Sequence, residues 1–217
     1  MIQGFAYFPA IVYRDEHPEW VDYALRVSQK YFDAQASQGA MCQTGHMGND
    51  PEMKFLTDYL LSTSHDILAG QGYAMDRYEL YVSGLWGQEV RGHGGTNVHV
   101  HKNSQICGWF FLETPEGGSY PVFYDTRANK QMVELDYTQK NEVTNATSAV
   151  HFNNIIPGTV LLANSWMQHQ LTPNMSDKPA KSIHFIISHN TKPSFNDQPL
   201  RCNSFEKFNS NLVEQLS

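Results

Sequence analysis

Two histidines stand one residue apart in the run Asn97–Leu112, N-V-H-V-H-K-N-S-Q-I-C-G-W-F-F-L. In an extended chain successive side chains point to opposite sides. His99 and His101 therefore share a face with Asn97, while Val98 and Val100 share the other. Two neutral imidazoles side by side suit a common divalent cation, whereas two protonated ones repel. A His-x-His pair also arises by chance on an exposed polar strand, so a metal site needs a third ligand from a different strand. The run Ile155–Asn174, I-I-P-G-T-V-L-L-A-N-S-W-M-Q-H-Q-L-T-P-N, offers one. Pro157-Gly158 turns the chain, Thr159–Ala163 reads as a buried apolar strand, and Trp166 precedes a new start headed by His169. That order delivers a third imidazole to the same place. His17, His46, His65 and His189 read as ordinary surface or hydrogen-bonded histidines.

The elements that must position these residues fall into two groups. Pro18–Gln35 has helical period, with Trp20, Tyr23, Ala24, Val27, Tyr31 and Ala34 forming an apolar stripe and Gly39 closing the region. A second helix begins at a capping Asp50 followed by Pro51 and Glu52. It buries Phe55, Leu56, Tyr59, Leu60, Ile67 and Leu68 and ends at Gly70 and Gly72. Beyond Gly72 the period shortens. Arg77–Leu85, Thr96–Lys102, Gln105–Glu113, Tyr120–Asp125, Gln131–Asp136, Ala149–Phe152, Thr159–Ala163 and Ala180–Ser188 read as strands. The tail after about residue 189 is polar, with Asn211–Leu216 as a short helix.

Helices ahead of a long strand series imply a mainly β chain. The expected architecture is a double-stranded β-helix, a jelly-roll or cupin-like barrel with two helices packed on one sheet. The expected organisation is a single domain over 1–217: a helical part over 1–72, the barrel over 73–190, and a tail over 191–217. Inward-facing residues near the open mouth of such a barrel can hold a metal or small ligand. The net charge of −7, with 15 Lys+Arg against 22 Asp+Glu, gives no electrostatic case for nucleic acid or an anionic membrane. The start lacks the basic n-region of a signal peptide, and no apolar run reaches the roughly 20 residues of a membrane span. Cys42, Cys107 and Cys202 are odd in number and widely spaced. They point to reduced thiols and a cytoplasmic protein.

At the level of whole motifs, H-V-H-K-N-S-Q-I-C-G-W-F-F-L resembles the first motif of the small 2-oxoglutarate/Fe(II) dioxygenases, including their prolyl-hydroxylase-like branch. S-Y-P-V-F-Y-D-T-R, Ser119–Arg127, is similar to their strand ending in Asp-Pro-Arg. G-T-V-L-L-A-N-S-W-M-Q-H-Q-L-T-P-N resembles their strand, Pro-Ser-Trp loop and distal His, and Asn49–Leu61 resembles their preceding helix. The likeness runs in order over roughly residues 45–190. It implies Fe(II) and 2-oxoglutarate as cofactors, with oxidative decarboxylation coupled to hydroxylation of a small-molecule or peptide substrate. It also implies that His99, His101 and His169 are the catalytic metal ligands, with His101 standing where that family usually has a carboxylate. Asp125 is the fallback carboxylate.

The family places an Arg or Lys about a dozen residues past the distal His to hold the far carboxylate of 2-oxoglutarate. Lys181 in P-A-K-S-I-H-F-I-I-S has the charge and the distance. If Ser182 instead takes the family's Ser position, Lys181 faces outward and Ser182 and His184 face the cavity. Asn97 could support the histidines or bind an oxoacid, Gln105 could meet a metal-bound water, and His93 sits in a Gly-rich loop near the mouth. Trp86, Trp109, Tyr81, Tyr124 and Trp166 are core or pocket aromatics. A cupin-type three-His metalloprotein, acting on thiols or as an isomerase, is the alternative, since the same motifs resemble both cupin motifs. A non-catalytic binding barrel and a tetrahedral zinc site also remain. These folds often pair through sheet edges or terminal segments, which leaves a homodimer open.

Overall fold

The computed structural model describes residues 10–35, 39–127 and 148–193. Its elements run β1 (Val12–Glu16), α1 (Val21–Ala34), β2 (Met41–Gln43), α2 (Lys54–Gly70), β3 (Tyr78–Val90), β4 (Ile106–Glu113), β5 (Pro121–Tyr124), β6 (Ala149–His151), β7 (Thr159–Asn164), β8 (His169–Leu171) and β9 (Ala180–Thr191). A six-stranded sheet has the order β1-β7-β4-β9-β3-β2, and a three-stranded sheet the order β6-β5-β8. Every pair is antiparallel. This is the double-stranded β-helix, with both helices on the outer face of the larger sheet. No helix among the described residues is long and apolar enough to cross a membrane.

Strand alternation divides the larger sheet into two chemistries. On β4, Ile106, Phe110 and Leu112 join the helix-side core, where Leu56, Leu60, Leu68, Val160, Ile183, Phe185 and Ile187 also pack. Trp109 and Phe111 point the other way, into a second core with Val90, Leu161, Ala163, Phe123, Met167 and Leu171. Two separated apolar clusters mean that the interface between the sheets is distinct from the helix layer. The interior lies between the larger and smaller sheets.

Each helix is entered through a 3-10 turn at the proline where the sequence places its start, Pro18–Trp20 before α1 and Pro51–Met53 before α2. Asp50 accepts from the backbone N–H of Glu52 at 2.9 Å, with Pro51 in the first turn. The same carboxylate accepts from Tyr31 at 2.9 Å and pairs with Lys30 at 2.7 Å, tying α1 to α2. The Lys30 contact is the main cause holding its pKa below the usual carboxylate value. The buried stripe of α1 is Val21, Ala24, Val27, Ser28 and Phe32, rotated from the expected one; Tyr23 is exposed. The rotation lets Phe32 lie over the sheet at Gly87, where an added Cβ would meet its ring.

Several strand boundaries differ from the expected ones. β1 and β2 fall in the stretch expected to be helical, and both pair at sheet edges through backbone partners far along the chain. β3 runs on to Val90 because β9 pairs with it as far as Ala180, with a register shift between Val82 and Gly84. Thr96–Lys102 is not a regular strand. It forms one isolated bridge, at His99, and crosses between the sheets before a turn with Asn103 at φ 58. The expected elements at Gln131–Asp136 and Asn211–Leu216 lie outside the described residues.

The turn that launches β7 depends on Gly158. Its φ is 95, and a Cβ there would lie 2.6 Å from both Pro18 Cα and Pro18 N. Gly158 N–H donates to Phe111 O, and its own carbonyl accepts from His17. Gly158→Ala combines a disfavoured backbone with a backbone clash. It should lower unfolding free energy by about 2 kcal/mol or more. Urea denaturation with unchanged slope checks this.

Candidate metal centre

The site is built by two backbone hydrogen bonds. His99 N–H donates to His169 O and His169 N–H donates to His99 O, both at 3.0 Å. This reciprocal pair joins the crossing segment to β8 and sets two imidazoles side by side, with ring centroids 4.5 Å apart. Thr96 N–H to Leu171 O and His101 N–H to Ser165 O, each 3.0 Å, fix the segment on either side. His99 and His101 keep one common side, and Val98 and Val100 are exposed on the other. The alternation expected of this run therefore survives although the regular strand does not.

His99, His101 and His169 each offer a ring nitrogen, and these atoms lie within 4.8 Å of one another. Two of the rings have their tautomers fixed. His169 Nδ1 lies 2.8 Å from Met167 O and His99 Nδ1 lies 2.7 Å from Asn97 O. A carbonyl can only accept, so each Nδ1 carries the proton. In the neutral ring the Nε2 lone pair is then free for a cation. Burial pushes the His169 pKa down to about 4, with His99 as the next cause. Burial and then His99 push His101 down to about 4 as well. Both rings are neutral at pH 7.

A fourth imidazole, His184 on β9, is almost fully buried and sits behind His101. Its Nε2 is 3.1 Å from His101 Nε2, which is itself 3.3 Å from His169 Nε2. Burial holds the His184 pKa well below the ordinary value, with the neighbouring histidines adding to it. One proton on His101 Nε2 can serve His169, or one on His184 can serve His101, but the first arrangement leaves His184 unserved and the second His169. A divalent cation accepts the lone pairs directly. Metal–nitrogen bonds of about 2.0–2.1 Å place adjacent ligand atoms roughly 3–3.4 Å apart, a range that holds both the 3.3 Å separation of the His101 and His169 nitrogens and the 3.1 Å separation of the His101 and His184 nitrogens. His184 lies outside the three-residue set and so neighbours the centre.

Lys181 lies on the helix side of β9, 3.4 Å from Glu113 and 3.9 Å from Glu89, above the Phe32 ring. Strand parity and two carboxylates hold it away from the interior, so it does not reach the histidines. Ser182 and His184 are buried on the interior side. Asn97 supports His99 through its backbone carbonyl rather than its side chain. Asp125 is paired bidentately with Arg127, at 3.0 and 2.6 Å, and is not part of the cluster. Gln105 Oε1 is buried without a partner among the described residues. His93 is exposed at φ 62 in its turn. Trp109 and Trp86 flank His184 at centroid distances of 5.1 and 4.7 Å. Trp166 and Tyr81 are exposed, and Tyr124 accepts from Gln170. Burial pushes the Cys107 thiol up to about 12, which removes it as a ligand at neutral pH. A cleft of about 610 Å³, lined by Glu116, Ser119, Tyr120, Thr172 and Met175 among others, lies beyond the other end of β8 and includes none of the histidines.

One residue that sequence reading passed over is Gln88, buried on β3, whose Oε1 accepts from the Trp109 indole N–H at 2.9 Å. Only its cross-strand position opposite Ser182 brings it to the site, and that register is not written in local sequence.

Residues 84–185 match the family model described as "Putative 2OG-Fe(II) oxygenase". No curated protein matches the sequence. Among solved structures, a prolyl-4-hydroxylase from Pseudomonas putida aligns with a TM-score of 0.54 at 9% identity, covering 82% of this chain and 92% of that one. The non-heme alpha ketoglutarate dependent carbocyclase SnoK from nogalamycin biosynthesis aligns with 0.58 at 11%, covering 87% and 85%. HygX from Streptomyces hygroscopicus, solved with nickel and 2-oxoglutarate bound, aligns with 0.55 at 10%, covering 82% of each chain. Part of the stretch from β3 to β9 is thus similar in sequence to the family described as putative 2OG-Fe(II) oxygenases, and the fold resembles that of these solved structures in shape.

Depressed histidine pKa values carry a signed consequence for the metal-free protein. Between pH 6.5 and about 4 the unfolded chain binds protons that folded His101 and His169 do not. The stability these two groups contribute is full well above pH 6.5 and is lost as pH drops toward 4. Melting temperature followed over this range should decline, and His169→Asn should flatten the decline. Saturating Ni(II) at pH 7 should raise the melting temperature of the unmutated chain and not of His99→Ala.

Proposed function

We propose that this chain, which carries the 2OG-Fe(II) oxygenase signature over residues 84–185, is an Fe(II)- and 2-oxoglutarate-dependent hydroxylase whose metal is held by His99, His101 and His169. The observation that carries the reading is the convergence of three ring nitrogens within 4.8 Å, two of them with Nδ1 tied to backbone carbonyls. Three imidazoles suit iron, nickel, copper or zinc and leave coordination positions open.

When bound, Fe(II) and 2-oxoglutarate supply the oxidative decarboxylation that turns O2 into a hydroxylating agent. The chain's residues do the rest. Three neutral imidazoles bring no charge, so a bound dication keeps its full 2+ and draws an anionic chelator more strongly than a centre with one carboxylate. The carbonyls of Asn97 and Met167 hold the rings of His99 and His169 in orientation. Trp109 and Phe123 pack against His169 with centroids 5.2 and 5.8 Å away, keeping bulk water from its inner side. Ser182 and His184 line the interior on β9, and the unpartnered Gln105 Oε1 supports a role in receiving a metal-bound water. Trp166, exposed beside the Ser165 carbonyl that receives His101, offers an aromatic surface for a small-molecule or peptide substrate. Cys42 and Cys107 are buried free thiols, which supports a cytoplasmic setting.

The three-His set also favours a second reading, a cupin-type metalloprotein that binds no 2-oxo acid. The two separate in one assay. Anaerobically purified protein given Fe(II), 2-oxoglutarate and O2 should release succinate, and His99→Ala should lower that rate by at least about a hundredfold. Tight Fe(II) binding with no succinate and no thermal shift from 2-oxoglutarate would favour the cupin reading instead.

A further inference from the structure

Three interior strands carry two adjacent rows of side chains. One row is Trp86, His184 and Trp109, and the next is Gln88, Ser182 and Phe111, set by the pairings of β3 and β4 with β9. The first row meets the histidine cluster through His184. The second row lies two residues further along, about 6.6 Å at the usual strand rise. That spacing is on the scale of a five-carbon diacid reaching inward from the metal.

The second row presents donors and no charge. The Trp109 indole only donates, so the Gln88 atom facing it is the oxygen, and the Gln88 Nε2 amide group must point elsewhere. Neither Gln88 Nε2 nor Ser182 Oγ takes part in a hydrogen bond with any described residue, and neither is among the fully enclosed unpartnered atoms. Both belong to buried residues, at 4% exposure each. Two unpaired donors side by side on neighbouring strands are arranged to receive one acceptor. Among the described residues no lysine or arginine is buried, and Lys181 is held on the helix side by Glu113 and Glu89.

We propose that Gln88 and Ser182 form a neutral clamp for the end of the 2-oxo acid remote from the metal, so that this chain selects its co-substrate by hydrogen bonding rather than by charge. The proposal rests on the 2-oxo acid reading above. Its consequence is a relaxed requirement for the second carboxylate. The full charge left on the metal by three neutral ligands holds the 2-oxo-carboxylate end, and the far end contributes only two neutral donors. A 2-oxo acid with an uncharged tail then binds nearly as well as 2-oxoglutarate.

The test is calorimetric titration of Ni(II)-loaded protein with 2-oxoglutarate and with 2-oxopentanoate, which lacks the second carboxylate. The unmutated chain should bind the two within about tenfold of each other. Gln88→Glu should weaken 2-oxoglutarate by more than about tenfold by like-charge repulsion and spare 2-oxopentanoate, with nickel stoichiometry unchanged. Ser182→Ala, a smaller change, should weaken 2-oxoglutarate about threefold to tenfold. Binding of 2-oxoglutarate about a hundredfold tighter than 2-oxopentanoate, or no response to either variant, overturns the clamp while leaving the oxygenase reading intact. Failure of both acids to bind nickel-loaded protein overturns that reading together with the clamp.

Discussion

The reciprocal backbone pair between His99 and His169 is the constraint on which the site depends. It joins residues far apart in sequence and lies where the crossing segment touches β8. Each of these histidines then uses the carbonyl two residues before it to hold its own ring, Asn97 for one and Met167 for the other. The same local device on both sides gives two rings of matched tautomer facing a common point. His101 adds the third nitrogen because the chain is still extended there, with its N–H held by Ser165. A metal held at this place would need little from distant side chains, since the backbone supplies register and ring orientation together.

Gathering four imidazoles in one corner, with His169 and His184 buried and His99 and His101 half-buried, has a cost that neutral rings keep low. Desolvation lowers the pKa of His101, His169 and His184, and each charged ring would oppose the next. The larger sheet enforces this by sorting charge across its two faces. Lys181, Glu89 and Glu113 gather on the helix side, while the interior side of the same strands carries Trp109, Ser182, His184 and Gln88. A dication would be the dominant charge in such an interior, which is the electrostatic setting for binding an anionic chelator.

Much of this was readable from alternation alone. His99 and His101 on one face, His169 at the head of a strand behind a Pro-Gly turn, and the capped start of α2 at Asp50 all follow from local period and turn chemistry. The parity of β9 was readable too, and of its two registers the structure holds the one that sends Lys181 outward. What local sequence lacks is pairing. β1 and β2 are short edge strands whose partners are Ala163 to Thr159 and Val90 to Gln88, so nothing nearby marks them. Gln88 gains its place only from the cross-strand register, and the carbonyls of Asn97 and Met167 carry no residue-type signal at all.

X-ray absorption at the iron edge of the anaerobic Fe(II) protein measures the central claim directly. The account predicts an outer-shell pattern of three imidazole rings on one iron, reduced to two in His101→Ala. Iron surrounded only by oxygen ligands, or by fewer than two imidazoles in the unmutated protein, would contradict it.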